Sequence, residues 1–201
     1  MTRRHLLRAL PALTGGAALA PATLTALLQG CAREDRRTWQ PAYLSAEEAD
    51  FLTAYVDTLL PRTDTPGGLD VGVDVFIDKV LALTTADPAA PSPLRDGIRD
   101  FDADATTAYG RRLAELDEAE RGELFAAAEE RSARYNPQVW GTTVGEEPPI
   151  DFYRSLKSMV LWGYLSSEEI GLNVLNYDPV PGGYDGDISL ESVGGRAWSL
   201  G

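Results

Sequence analysis

Residues 45–61 read SAEEADFLTAYVDTLLP, and the way this stretch folds constrains everything that follows it. Ser45 and Glu48 stand three apart as a capping box, in which hydroxyl and carboxylate each satisfy a backbone N–H that the first helical turn leaves open. Phe51, Leu52, Tyr55, Val56, Leu59 and Leu60 then recur at helical spacing along a single face, and Pro61 ends the run. A helix with one apolar face needs partners to bury it. The sequence downstream supplies more helices.

Val73, Phe76, Ile77, Val80 and Leu81 predict a second helix over about 72–83, and Ser92-Pro93 offers an N-cap with a first-turn proline for a third. Leu94, Ile98, Phe101, Ala105, Ala108, Tyr109, Leu113 and Leu116 make one long stripe. Asp117 with Glu120 is a second capping box, opening an alanine-rich helix to about Arg134. After an irregular stretch over 135–149, a fifth helix is expected from about Ile150 to Tyr164. Ser166-Ser167-Glu168-Glu169 reads as a third capping box, for a short helix through Leu175. From about 176 onward prolines and glycines interrupt the chain, and no run alternates well enough for a strand. The fold class is therefore all-α, a small bundle of five or six helices with an irregular Gly/Pro-rich C-terminal arm.

The first 31 residues, MTRRHLLRALPALTGGAALAPATLTALLQGC, carry Arg3, Arg4 and Arg8 and then no charge from Ala9 to Gly30. That order is the order of a secretory signal. Arg3 and Arg4, followed by Leu6, Leu7 and Arg8, resemble a twin-arginine signal, the address of proteins exported already folded. Leu28-Gln29-Gly30-Cys31 resembles a bacterial lipobox, whose cysteine is lipidated and becomes the first residue of the mature chain. The expected organisation is a signal peptide over 1–30, a lipidated Cys31 with a polar tether over 31–43, and one helical domain over 44–201. The expected location is exported, on the periplasmic side, held to a membrane through a lipid anchor.

The chain has 201 residues with one histidine, His5, and one cysteine, Cys31. Cleavage before Cys31 would leave no histidine, and a single cysteine at the very start. Such a chain lacks the means for a Ser-His-Asp or Cys-His nucleophile, a Cys/His zinc site, a histidine-held haem or a thiol redox pair. It also shows no G-x-G-x-x-G, P-loop or C-x-x-C-H. No cofactor and no catalytic residue are therefore expected in this chain. Losing residues 1–30 removes three arginines and no acid, so the net charge of −13 becomes −16. A surface this acidic repels nucleic acid and anionic lipid headgroups.

The segment between the first two helices reads Leu60-Pro61-Arg62-Thr63-Asp64-Thr65-Pro66-Gly67-Gly68-Leu69-Asp70-Val71-Gly72-Val73, followed by Phe76-Ile77-Asp78. It resembles the hallmark segment of the gluconate 2-dehydrogenase subunit 3 family. A later block is matched by Phe152, Leu156 and Gly163-Tyr164-Leu165-Ser166-Ser167-Glu168-Glu169-Ile170-Gly171, then Tyr177, Pro181-Gly182, Tyr184 and Gly186-Asp187. The resemblance implies a small, non-catalytic subunit of a membrane-associated flavoprotein dehydrogenase that oxidises a sugar, sugar acid or polyol. In such complexes the large subunit holds FAD and a multihaem cytochrome c subunit usually takes the electrons. The small subunit supports export and maturation of the large one.

Arg62, Asp64, Tyr164, Tyr177, Tyr184 and Trp198 are the candidate contacts to such a partner, being polar loop residues or aromatics of the kind that dominate interfaces. The internal reading of the loop is that Arg62 pairs with a nearby carboxylate while Asp64 and the threonines cap its turns. Gly67, Gly68 and Gly72 most simply permit positive backbone angles. Asp70, Asp74 and Asp78 lie four apart and read as a solvated helix face near the N-terminal dipole, rather than a cation site. Asp185-Gly186-Asp187 resembles part of a calcium loop without the remaining ligands. Trp140 and Trp162 join the aromatics of the C-terminal third. Two other functions compete: a free-standing periplasmic lipoprotein that binds a small molecule, and a glycosidase using two carboxylates.

Overall fold

The computed structural model describes residues 39–87, 90–134, 138–139, 142–143, 151–177, 183 and 187–198. Among them the chain is an all-α bundle. Its helices are α1 (Ala46–Leu59), α2 (Val73–Thr84), α3 (Pro93–Tyr109), α4 (Glu118–Arg131) and α5 (Phe152–Leu165), with a 3-10 turn at Leu113–Glu115 and a π turn at Ile170–Val174. Among the described residues, strand pairing is confined to one two-residue antiparallel pair, Gln138–Val139 with Thr142–Thr143, and a single bridge between Asn176 and Trp198. No helix among the described residues is long and apolar enough to cross a membrane. Cys31 and the arginines Arg3 and Arg4 lie outside the described residues, as do Trp140, Tyr184 and the Asp185-Gly186 pair.

α1 begins as its sequence dictates, with the Ser45 hydroxyl accepting from the Glu48 N–H and the Glu48 carboxylate accepting from the Ser45 N–H. It is not one-faced, however. Every residue from Phe51 to Val56 is buried, because α2, α3, α4 and the 3-10 turn surround the helix. Thr53 and Ala54, which the apolar periodicity assigns to the open side, are small enough to let neighbours close over them. Around α1 the rings of Phe51, Tyr55, Phe101, Phe125 and Tyr153 form a continuous aromatic cluster, with the closest centroids, Tyr55 and Phe125, 4.8 Å apart. The Tyr55 hydroxyl stays satisfied by donating to the Tyr153 carbonyl at 2.9 Å. Burial is the main cause that pushes the Tyr55 hydroxyl well above the usual tyrosine range; the same cause, aided by Glu129, raises Tyr153 to about 12.

Three expectations about local structure are corrected. The stripe from Leu94 to Leu116 is not one helix: Gly110 takes a left-handed conformation at φ 69° and ends α3. The chain then turns because Asp102, 8% exposed, accepts from Arg112 Nε at 2.8 Å and from the Leu113 N–H at 2.9 Å. Leu113 and Leu116 still reach the core from that turn. The fourth helix stops at Arg131 rather than Arg134, and the fifth starts at Phe152 behind an Asp151 N-cap. Ser166 does not open a capping box. It closes α5, with the Ser166 and Ser167 hydroxyls donating back to the carbonyls of Trp162 and Tyr164, both at 2.7 Å.

The largest correction concerns the acidic face of α2. Asp74 and Asp78 are 4% and 1% exposed, not solvated. Asp78 accepts the backbone N–H groups of Ala42, Tyr43 and Leu44 at 2.6, 3.1 and 2.9 Å. Asp74 accepts from the Trp39 indole at 2.9 Å and the Thr53 hydroxyl at 3.0 Å. The lead-in to α1, residues 39–44, is thereby fastened across α2. Arg95 of α3 completes the fastening, donating to the Tyr43 carbonyl at 2.9 Å and lying over the Tyr43 ring. Replacing Asp78 with alanine strands three N–H groups, those of Tyr43 and Leu44 buried, and should lower stability by about 3 kcal/mol. A urea melt checks this against Asp64→Ala, an exposed change expected to stay within about 0.5 kcal/mol; equal effects would refute the buried clamp.

Candidate partner-binding surface

The loop from Leu60 to Gly72 is a folded object rather than a floppy link. The Gly68 N–H donates to the Leu60 carbonyl at 2.8 Å, and the Val73 N–H to the Gly68 carbonyl at 3.0 Å. Asp70 accepts from the Gly67 N–H at 2.8 Å and pairs with the Arg62 guanidinium. The hydrogen bond from Arg62, reinforced by that from Gly67, holds the Asp70 carboxyl below the usual aspartate range. Thr63 and Thr65 bond to each other across the turn. The internal reading of Arg62 and the threonines holds, while Asp64 is exposed beside them.

The three glycines of this loop serve two different ends. Gly72 has φ 70°, which favours glycine. Gly67 and Gly68 do not adopt positive φ, contrary to expectation; they are needed for close approach. A Cβ on Gly67 would stand 2.8 Å from the Arg62 backbone nitrogen, and one on Gly68 2.6 Å from Val56 Cγ1. The loop is folded so tightly back onto α1 that side chains have no room.

The end of α5 locks the same loop from the other side. The Tyr164 hydroxyl donates to the Pro66 carbonyl at 2.7 Å. One residue earlier, a Cβ on Gly163 would stand 2.9 Å from Phe76 Cδ1, so α5 approaches α2 closely at that level. Tyr164, one of the sequence candidates, is therefore half-buried and structural. Trp162, which sequence reasoning named only among the aromatics, is the exposed member: 56% accessible, with its ring 5.1 Å from Phe76. Leu83, at the far end of α2, is 87% exposed and was missed. The signal was present, since α2 carries more apolar residues than one buried face can use: Val73, Val75, Phe76, Ile77, Val80, Leu81 and Leu83.

Tyr177 and Trp198 are exposed at a second place, where the chain is fastened at Asn176. Asn176 pairs with Trp198 in a parallel bridge, its N–H donating to the Ala197 carbonyl at 2.7 Å and its side-chain amide to the Val193 and Arg196 carbonyls. The two aromatics flank this fastening and remain about half exposed. Tyr184 lies outside the described residues.

The sequence profile of gluconate 2-dehydrogenase subunit 3 matches residues 46–182, more than half of the chain. The chain belongs to the gluconate 2-dehydrogenase subunit 3 family. No curated protein and no solved structure matches it. Gluconate 2-dehydrogenase subunit 3 is by name a subunit of a multi-subunit dehydrogenase, and the coarse function follows: an accessory subunit of a dehydrogenase complex. The matched region opens on the first residue of α1 and contains both the folded loop and the α5 segment that Tyr164 ties to it.

Among the described residues no group of three His, Cys, Asp or Glu side chains is placed to hold a metal ion. The largest groove described, about 600 Å³ beside α3, is lined by arginines already engaged with acids, Arg95 with Glu48 and Arg112 with Asp102.

Two measurements test the loop. Gly67→Ala presses a methyl onto backbone atoms that no rotamer change can relieve, and should cost roughly 1–3 kcal/mol in a denaturant melt. Arg62→Ala should raise the Asp70 pKa toward the ordinary aspartate value. Because the folded-state value is depressed, the pairing stabilises above the unfolded-state pKa and is lost as pH falls through the folded one. An NMR titration of the Asp70 carboxyl reads this directly, and an unchanged midpoint in the variant would discard the pairing.

Proposed function

We propose that the chain is the non-catalytic small subunit of a gluconate 2-dehydrogenase-like flavoprotein, escorting its FAD-bearing catalytic subunit through folded-protein export and keeping it at a membrane. The observation that carries this reading is the family match over 46–182, on a chain that also bears a twin-arginine-like segment. A folded-export address suits a passenger with an inserted cofactor, and this chain has no histidine or cysteine beyond Cys31 with which to hold a haem or run thiol chemistry. The cofactor is then the partner's: FAD in the large subunit, and haem in a cytochrome c subunit where one is present. Cys31 supplies the lipid that holds the pair on the periplasmic side.

Changing Arg3 and Arg4 together to lysine should strand the catalytic subunit in the cytoplasm. Normal appearance of dehydrogenase activity in the periplasmic and membrane fractions would end the escort role. Cys31→Ser should shift the chain, and the dehydrogenase activity with it, from the membrane pellet to the soluble fraction. Retention in the pellet would remove the anchor from the account.

A further inference from the structure

Phe76, Val80 and Leu83 are spaced by four and three along α2, so they share one face of that helix. Where α5 crosses at the level of Gly163, Trp162 lies against Phe76 and completes an apolar edge in which Phe76 and Val80 are half-buried while Trp162 and Leu83 are exposed. Trp162 is 56% and Leu83 87% exposed. The approach that Gly163 permits packs α5 against the Phe76 ring, and that ring supports Trp162 from beneath. Tryptophan is among the residues that interfaces use as anchors.

Charge decides what covers the edge. A second copy would bring a chain of net charge −13 against another of −13, and an anionic lipid surface is repelled in the same way. The described part of the chain's own arm is fastened at Asn176 and has exposed apolar residues of its own, Ile188, Leu190 and Trp198 at 45–65%, while Trp162 and Leu83 stay open. Exposed Glu168 and Glu169 follow Trp162 shortly after the end of α5. The matching surface is therefore a protein with an apolar centre and a basic rim.

We propose that this edge, built on Phe76, Val80, Leu83 and Trp162, is where the catalytic subunit of the dehydrogenase complex docks. The assignment rests on the reading of this chain as that subunit's accessory partner. The experiment is co-purification from detergent-solubilised membranes of the native host, with the full chain tagged at its C-terminus. Flavin absorbance and the mass of the co-purified dehydrogenase subunit are the readout. Trp162→Ala combined with Leu83→Asp should lower the recovered flavoprotein at least tenfold, while Arg99→Ala on α3, which carries none of the edge, should leave it unchanged. Leu83→Asp alone should lower it several-fold and, at a site this exposed, cannot act through misfolding; thermal melts of all variants confirm that. If the wild type recovers the flavoprotein and the double variant recovers as much, the docking face is wrong while the accessory role stands. If the wild type recovers none, both fall. Sedimentation and vesicle pelleting complete the test: a wild-type dimer, or binding to phosphatidylcholine vesicles, that the double substitution abolishes would assign the edge to another occupant and overturn the proposal.

Discussion

Asp78 sits 1% exposed on α2 with both carboxylate oxygens filled by backbone N–H groups of residues 42–44. An ionised carboxylate in such a place is tolerable only when donors surround it, and here the donors come from a segment with no regular structure of its own. The segment in turn sets where Ser45 stands, and Ser45 caps α1. Its Tyr43 carbonyl and ring receive Arg95 from α3. One side chain thus fixes the entry of the central helix relative to two of its neighbours. Everything that packs around Phe51 and Tyr55 inherits that placement.

From this fixed centre the outer surface follows by close approach. α1 ends at Leu60, and the next dozen residues fold back on it because Gly67 and Gly68 present no side chain to resist. The folded loop delivers Pro66 to Tyr164 and starts α2 at Gly72, which brings Phe76 beneath Gly163. Trp162 is exposed as a consequence of this geometry. Its neighbour must be glycine for the helices to meet, and the tryptophan one position before it rests on the outer side of the Phe76 ring and stays half exposed.

Much of this was legible from the chain, and the boundary between legible and illegible is physical. Ser45 with Glu48 and Asp117 with Glu120 are local patterns whose partners lie within one turn, and both formed as read. Ser166 has the same pattern but closes a helix, because a serine hydroxyl can donate to the preceding turn's carbonyls as readily as accept from the next turn's N–H groups. The spacing of Asp74 and Asp78 announces a common helix face but not what lies across it; the covering strap is some 35 residues away in sequence. Thr53 and Ala54 gave no apolar signal, so the all-round burial of α1 could not be read from its periodicity. Of the residues named from sequence, Arg62 and Tyr164 also make internal bonds, to Asp70 and to the Pro66 carbonyl, while the exposure of Leu83 depends on where α2 ends.

The strap of residues 39–44 also determines where this protein can be cut. A chain begun at Ser45, the obvious boundary from helix assignment alone, would keep α1 and its cap while leaving Asp78 buried without its three N–H donors and Asp74 without the Trp39 indole. A shortened chain that keeps this fastening has to start ahead of Trp39. The same fastening ties residues 42–44 to α2 and to Arg95 as well as to the first turn of α1, so a pull on that short segment is shared by three helices.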